Sequence, residues 1–242
     1  MPVRWVVCDA VGTLIYAVPD VATTYHQIGR RHGSVLSRSE ISTRFSAAFQ
    51  EAETRDSTAW RGSDGNRPDT GGTLLTCESL EKRRWRRIVD SVLPDVDSPD
   101  ACFDELFEHF GKPSSWACFE DVHPTLTGLQ RRGIRLAIAS NFDSRLHTVC
   151  DGLEPLRTIE HCVVSSEVGF RKPSRSFYDA VLCRIGSAAC EVLMVGDDLQ
   201  NDVCGAQSAG IRAALIFRGD CENLPPNVAV LTELLEIETL LR

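Results

Sequence analysis

The chain has 242 residues, 43% of them hydrophobic and 25% charged, which suffices for one large α/β domain or a core domain with an insertion. Its 26 basic and 34 acidic residues give a formal net charge of −8, so we expect no nucleic-acid partner, because such proteins usually carry a basic face. Ten scattered cysteines without a C-x-x-C pair indicate reduced thiols, and no apolar run approaches the ~20 residues of a membrane span, which predicts a soluble, cytoplasmic protein.

The first predicted element is a strand from Val3 to Cys8, which is apolar almost throughout and leads into Asp9. A short continuous apolar run that is bounded by a glycine turn, here Gly12, is typical of a strand buried on both faces of a parallel sheet. The sequence therefore predicts an α/β core that contains this strand.

Helical spacing replaces the strand pattern from Asp20 to Gly111, where four helices are predicted. A capping box at Ser37 and Glu40 opens the second of them. Because strand and helix alternate on both sides of this stretch, we expect an inserted α-helical bundle. The predicted domains are a cap at residues 17–114 and a core made of residues 1–16 and 115–242.

Two segments of the predicted cap are polar. Residues 55–72 are rich in Gly, Asp, Asn and Ser and are predicted to form a long exposed loop, with contact of Arg61 or Arg67 with an anionic substrate as the less favoured alternative. The basic run from Lys82 to Arg87 is predicted to be a solvated helix face.

Alternation of helices and strands resumes after the cap, as a parallel sheet requires. The predicted strands are 134–139, 162–164, 192–195 and 211–217, and the predicted helices are 124–132, 175–185, 201–209 and 231–241.

Polar residues follow three of the predicted strands, and a lysine stands in a loop before a helix. These segments are Asp9 to Thr13, Ser140-Asn141, Gly196-Asp197-Asp198 and Lys172-Pro173. Each has an ordinary explanation as a turn, a helix cap or a surface lysine. In open parallel sheets, however, ligands bind outside the carboxyl ends of the strands, so the ordered set predicts one shared site.

This set of motifs resembles the haloacid dehalogenase-like hydrolase superfamily, with a helical cap inserted after the first motif. The segment from Asp9 to Leu14 is similar to motif one, Ser140 to motif two and Lys172-Pro173 to motif three. The segment from Gly196 to Ala206 matches motif four closely. The resemblance covers nearly all of the core, whereas the cap matches only in position and helical character. It implies a Rossmann-like parallel sheet.

The resemblance also implies roles for individual residues. Asp9 would be the nucleophile, because an acyl phosphate is itself hydrolysable and divides one hard step into two. Mg²⁺, the implied cofactor, would be held by Asp9, the backbone carbonyl of Val11 and Asp197, with Asp202 or Asp198 as a further partner. The residues expected to bind phosphate and support catalysis are Thr13, Ser140, Asn141 and Lys172.

One departure from the family pattern is Val11, because phosphatases of this family carry a second aspartate at that position as general acid and base. General acid–base catalysis is worth about 10²–10⁴-fold, so its loss should slow the enzyme without abolishing activity. Substrates with acidic leaving groups, such as phenols or acyl phosphates, should suffer least.

Three functions remain open on the sequence. The favoured one is a metal-dependent phosphatase that acts on a small phosphorylated metabolite. The second is a metal-independent 2-haloacid dehalogenase, whose motif one also lacks the second aspartate; an acidic motif four argues against it, because extra carboxylates beside a nucleophilic aspartate need a cation. The third is a non-catalytic binding protein, favoured by Val11 alone. Carbon–phosphorus bond cleavage ranks low, and the oligomeric state cannot be predicted.

Overall fold

The structure is a computed structural model of the chain and describes residues 2–61, 74–218 and 228–241. Within these ranges no helix combines the length and the apolar character that crossing a membrane requires.

The strands, in chain order, are β1 (Trp5–Cys8), β2 (Ile15–Ala17), β3 (Trp116–Cys118), β4 (Arg135–Ser140), β5 (His161–Val164), β6 (Val192–Gly196), β7 (Arg212–Ile216) and β8 (Ala229–Leu231). The α-helices are α1 (Val21–Arg31), α2 (Arg38–Arg61), α3 (Glu78–Val92), α4 (Pro99–His109), α5 (Val122–Arg131), α6 (Arg145–Gly152), α7 (Ser165–Val168), α8 (Arg175–Ile185) and α9 (Gly205–Ser208). A π-helical segment (Leu199–Cys204) follows β6, and a 3-10 helix (Leu234–Leu240) follows β8.

The main sheet has six parallel strands in the order β5-β4-β1-β6-β7-β8. The first strand of the chain is near its centre, because Trp5 pairs with Arg135 of β4 on one side and with Val192 of β6 on the other. The predicted α/β class with a Rossmann-like parallel sheet is therefore confirmed.

Both faces of β1 are buried, as its unbroken apolar sequence predicts. Val6 and Cys8 contribute to the hydrophobic core on one face of the sheet, and Trp5 and Val7 to the core on the other. Residues of α5 and α6 cover the first face, and residues of α8 and α9 cover the second. This two-sided burial fixes the position at which β1 ends, and hence the position of Asp9.

Helices α1–α4, called here the helical region, lie between β2 and β3. These two strands pair antiparallel, with Ile15 opposite Cys118 and Ala17 opposite Trp116. The apolar faces of the four helices pack into a separate hydrophobic core. The division into a cap at residues 17–114 and a core remains a prediction, and the β2–β3 pair stands where the two parts would join.

Local capping explains where two of these helices begin. Asp20 caps α1 by accepting a hydrogen bond from the Thr23 backbone N–H at 3.0 Å. The predicted capping box is present at α2, since Glu40 Oε2 accepts from the Ser37 N–H at 2.8 Å and Ser37 Oγ accepts from the Glu40 N–H at 3.3 Å. Each contact satisfies a backbone donor that has no partner within its helix.

Two predicted boundaries are wrong. Helix α2 continues to Arg61, so residues 55–61 are helical instead of loop, while residues 62–72 lie outside the described residues, as do Arg67 and the Arg61 side chain. The predicted closing helix from Leu231 to Leu241 is instead the end of strand β8 followed by a 3-10 helix. There, Leu234 and Ile237 are buried at a spacing of three residues, which suits a 3-10 turn.

The basic run in α3 is only partly the solvated face that was predicted. Arg84 is buried and pairs with Glu53 of α2 at 2.5 Å. Its neighbours Lys82, Arg83 and Arg87 are exposed. The hydropathy pattern misses Arg84 because a buried ion pair looks like a surface charge in the sequence.

Candidate active site

The residues that follow β1 and β6 meet at one edge of the main sheet. Asp9 comes directly after β1, Asp197 directly after β6, and Asp202 lies in the π-helical segment. Carboxylate oxygens of these three residues lie within 4.8 Å of one another. Lys172, from the loop before α8, contacts the same group, and the four residues together are called the acidic floor.

Lys172 is the electrostatic centre of the acidic floor. Its Nζ donates to Asp9 Oδ1 at 2.5 Å, to Asp202 Oδ1 at 2.6 Å and to the Ala139 carbonyl at 2.9 Å. Burial by itself would lower the pKa of Lys172, but attraction to Asp202 and Asp9 outweighs burial and raises that pKa above its usual range. The lysine is therefore a fully buried cation with all three of its protons engaged.

Negative charge exceeds positive charge within the acidic floor, where three carboxylates face one ammonium group. Burial, and then repulsion by Asp9, raise the pKa of Asp197, although its side chain opens onto a cavity. Burial also raises the pKa of Asp202, against the opposing attraction of Lys172. Oxygen ligands of this kind are those that Mg²⁺ prefers, and a divalent charge would relieve the repulsion, so the donor set fits a hard divalent cation.

Two glycines allow the backbone to approach the acidic floor closely. At Gly12, where φ is +88°, a Cβ atom would stand 2.2 Å from Asp197 Oδ2. At Gly196 a Cβ atom would stand 2.1 Å from Asp202 Oδ2. Both positions therefore exclude any side chain, and the left-handed conformation at Gly12 adds a second reason there.

Three other predicted site residues lie around the acidic floor. The buried Thr13 donates its hydroxyl hydrogen bond to Asp197 Oδ1 at 3.2 Å. Ser140, the last residue of β4, and Val11 both line the cavity above the floor. Val11 is 38% exposed, so the apolar residue that stands in place of the second aspartate of the family pattern is accessible.

Asn141 and Asp198 are engaged with neighbouring groups of the protein. The Asn141 side chain accepts a hydrogen bond from the Lys172 N–H at 2.8 Å and donates to the Lys172 carbonyl at 3.1 Å, so it orients the lysine. The Asp198 carboxylate accepts from the backbone of Gln200 and Asn201, both at 2.8 Å, and caps the π-helical segment. Asp202, and not Asp198, thus joins the carboxylate cluster.

A cavity of about 460 Å³ rises from the acidic floor toward the helical region. Away from the acidic floor, the cavity is lined largely by aromatic side chains, and seven of these that contact one another in series are called here the aromatic wall. The members of the wall are Tyr25, Phe45, Phe49, Trp85, Phe110, Trp116 and Phe142. Most residues of the aromatic wall come from helices α1–α4. The sequence predicts helices there but does not indicate that they border a cavity.

Within the described part of the chain, three arginines that sequence reasoning did not select also line the cavity, and each is held by a carboxylate. The pairs are Arg84 with Glu53, Arg145 with Asp143, and Arg171 with Glu81. Only the position of Arg171, directly before Lys172, signalled proximity to the site.

Comparison with known sequences gives a family match along most of the chain. The family model for haloacid dehalogenase-like hydrolases matches residues 3–210. Haloacid dehalogenase-like hydrolase domain-containing protein 3 from Mus musculus is 28% identical over 89% of this chain and 82% of its own length. A phosphoserine phosphatase from Thermus thermophilus is 26% identical over 87% of each chain.

Comparison with solved structures supports the same fold. The defluorinating L-2-haloacid dehalogenase Rha0230 superposes with a TM-score of 0.74 over 99% of this chain and 95% of its own, at 18% sequence identity. At that identity the likeness extends to the fold alone.

Proposed function

The chain belongs to the haloacid dehalogenase-like hydrolase family, and we propose that it is a Mg²⁺-dependent phosphohydrolase with Asp9 as nucleophile and a small phosphorylated molecule as substrate. The observation that carries the proposal is the acidic floor, in which the negative charge of three clustered carboxylates is larger than the positive charge of the one lysine. A nucleophilic aspartate that attacks carbon without a cation has no use for two further carboxylates beside it. Similarity to a phosphoserine phosphatase over 87% of the chain also supports phosphate chemistry.

The residues that would hold Mg²⁺ are Asp9, Asp197 and the backbone carbonyl of Val11, with Asp202 beside them. When bound, the cation supplies the positive charge that allows a phosphate dianion to approach the carboxylate of Asp9. Thr13 supports this arrangement through its hydrogen bond to Asp197.

The reaction would proceed in two steps at phosphorus. A carboxylate oxygen of Asp9 attacks, the bond from phosphorus to the leaving oxygen breaks, and the leaving group departs with the electron pair. Water then attacks phosphorus in the aspartyl phosphate, which releases inorganic phosphate and restores Asp9. Lys172 orients Asp9 through its 2.5 Å contact, and Ser140 at the end of β4 would bind a phosphoryl oxygen.

We propose further that the helical region is a cap that selects the substrate. Contact between this region and the rest of the chain supports this role, because Glu78 of α3 accepts from the Ser144 N–H before α6 at 2.9 Å and from the Ser166 hydroxyl in α7 at 2.5 Å. The net charge of −8 supports a small-molecule substrate over nucleic acid, and the scattered cysteines support a cytoplasmic location.

A second candidate, 2-haloacid dehalogenase activity, is favoured by Val11 and by the apolar side of the cavity. It differs from the first in attacking carbon and in needing no cation. It leaves the acidic floor unexplained and therefore ranks below phosphohydrolysis.

One experiment separates the candidates. Release of phosphate from acetyl phosphate and of chloride from 2-chloropropionate are measured with Mg²⁺ and with a chelator, in the native chain and in Asp9→Asn. We expect Mg²⁺-dependent phosphate release that Asp9→Asn abolishes. Chloride release that persists in chelator would overturn the proposal in favour of the dehalogenase, and no release of either product would point to a binding protein.

A further inference from the structure

The aromatic wall is a continuous series of ring contacts. One branch runs from Tyr25 to Phe45, Phe49 and Trp85, with ring centroids 5.3, 6.0 and 6.3 Å apart. The other runs from Tyr25 to Phe110, Trp116 and Phe142, with centroids 6.1, 5.8 and 6.2 Å apart. All six separations lie in the range of favourable aromatic pairs, so the wall is a preorganised surface for another ring.

Among the described residues, each arginine that lines the cavity is paired with a carboxylate. The guanidinium groups of Arg84 and Arg171 are buried and pair with Glu53 and Glu81. The guanidinium of Arg145 is held by Asp143 and stacks over the Phe107 ring, 3.4 Å from its centroid. A carboxylate on the substrate would have to compete with one of these pairs, whereas an apolar group would not.

The apolar Val11 beside the acidic floor favours a substrate with an acidic leaving group. Val11 lines the cavity two residues beyond Asp9 and has no proton to transfer. A phenol has a pKa of about 10, as the tyrosine side chain does, and can leave as its anion, whereas an aliphatic alcohol is a far weaker acid and needs protonation.

We propose that the substrate is an aryl phosphate, the phosphate monoester of a phenol, whose ring binds the aromatic wall while its phosphate meets the acidic floor. This inference rests on the proposed phosphohydrolase function. Asp9 attacks phosphorus, the aryl oxygen departs with the bonding electron pair, and the phenolate takes its proton from water. The cavity of about 460 Å³ lies within the ~300–1,000 Å³ range of small-molecule sites and has room for such a ring.

Four probes separate ring binding from leaving-group acidity. Phenyl phosphate has both features, benzyl phosphate has the ring alone, acetyl phosphate has the acidic leaving group alone, and O-phosphoserine has neither and carries extra charges. With Mg²⁺ present, we expect the leaving group to be released in the first turnover about 10²-fold or more faster from phenyl phosphate than from benzyl phosphate, which is the value of a missing general acid. We expect KM for acetyl phosphate and O-phosphoserine to be higher than for either aromatic ester.

A pair of matched variants tests the ring contact. Phe49 and Phe217 are 37% and 38% exposed, and of the two only Phe49 lines the cavity. Phe49→Leu keeps an apolar, though smaller, side chain and should raise KM for phenyl phosphate about two- to tenfold, since one aromatic contact is lost, while KM for acetyl phosphate stays unchanged. Phe217→Leu should change neither value.

The outcomes distinguish this inference from the proposed function. Asp9-dependent hydrolysis of acetyl phosphate, with no preference for phenyl phosphate and no effect of Phe49→Leu, overturns the aryl phosphate assignment and leaves phosphohydrolysis intact. Release of benzyl alcohol in the first turnover as fast as release of phenol also overturns it. Absence of phosphate release from all four probes overturns both.

Discussion

The acidic floor and the aromatic wall line one cavity, yet they are built in opposite ways. The floor comes from the ends of sheet strands and adjoining loops, and it concentrates three carboxylates around one buried lysine. The wall comes mainly from helices, and its members hold one another by ring contacts. From this difference we propose that the sheet would supply the chemistry and that the helical region would select the substrate.

The two regions also differ in how they tolerate change. Removing one charge from the floor leaves other buried charges without a partner, which strongly lowers the stability of a poorly solvated site. Removing one ring from the wall costs a single contact among many. Substitutions in the floor should therefore affect both turnover and stability, whereas those in the wall should act mainly on KM.

The largest effect is expected from Lys172→Met in the floor. Asp9 and Asp202 lose their shared cation, so we expect a loss of about 10³-fold in kcat and of about 3–5 kcal/mol in the free energy of unfolding. Lys112→Met, which breaks the exposed pair of Lys112 with Glu108, should change stability by less than about 0.5 kcal/mol. Activity measurements and urea unfolding check both, and equal stabilities of the two variants would contradict the account.

A second prediction concerns the boundary between floor and wall. Val11→Asp introduces the missing proton donor, so release of benzyl alcohol from benzyl phosphate in the first turnover should become about 10²–10⁴-fold faster, with a much smaller gain in first-turnover release of phenol from phenyl phosphate. Val11→Asn, with a similar shape and no acidic proton, is the control. If both variants behave alike in single-turnover assays, the assignment of this position to proton transfer fails.

A third prediction addresses the connection between the two regions. Glu81 of α3 pairs with Arg171, the residue before Lys172, and accepts from the Thr76 hydroxyl at 2.6 Å. Glu81→Gln leaves Arg171 with a more distant carboxylate, Glu53 at 3.7 Å, and should cost about 3 kcal/mol of unfolding free energy.

The matched control for this variant is Glu51→Gln, since Glu51 forms an exposed pair with Arg55 at 2.7 Å and should contribute less than about 1 kcal/mol. Denaturant midpoints compare the two variants directly. A negligible cost of Glu81→Gln would mean that floor and wall are stabilised independently.

The smallest effect concerns the stability of the helical region away from the cavity. Asp20 accepts hydrogen bonds from the Thr23 hydroxyl and the Thr23 backbone N–H, and these contacts, together with Arg38, lower its pKa to about 2. Asp20→Ala should cost about 1 kcal/mol at pH 7, as loss of a helix cap does.

The dependence of this effect on pH follows from the lowered pKa. In the unfolded chain the pKa of Asp20 is about 3.9, whereas in the folded chain it is about 2. The charged carboxylate therefore makes its full contribution to the free energy of unfolding above about pH 3.9 and loses it as the pH falls toward about 2. Unfolding curves of the native chain and of Asp20→Ala should converge over this range. Asp20→Asn, which still caps the helix, should lose less; a cost that is independent of pH would contradict the assignment to the carboxylate.

The floor was more predictable from the sequence than the wall. Continuous apolar runs located β1 and β6, and the parallel-sheet rule then brought Asp9 and Asp197 to a common edge, where the structure also places them. The family and the fold class were predicted correctly on the same motifs. The catalytic roles of these residues remain predictions.

The sequence does not predict the aromatic wall, and the reason is physical. Helical spacing shows that Phe45 and Phe49 share one face, but a face that packs on a neighbouring helix and a face that borders a cavity have the same pattern. Arg84 was missed in a similar way, because its partner Glu53 comes from another helix. Contacts of this kind depend on tertiary packing and leave no local signal.

The most direct test of the account is to trap the phosphorylated form of Asp9. Because Val11 cannot activate the attacking water, the second step should be slow, and the aspartyl phosphate should accumulate when phenyl phosphate and Mg²⁺ are mixed with the chain and quenched in acid. Mass analysis of the peptide that contains Asp9 should then show an added phosphoryl group, absent in Asp9→Asn and in chelator. Rapid release of phosphate by a chain whose Asp9 stays unmodified at every quench time would contradict the central claim.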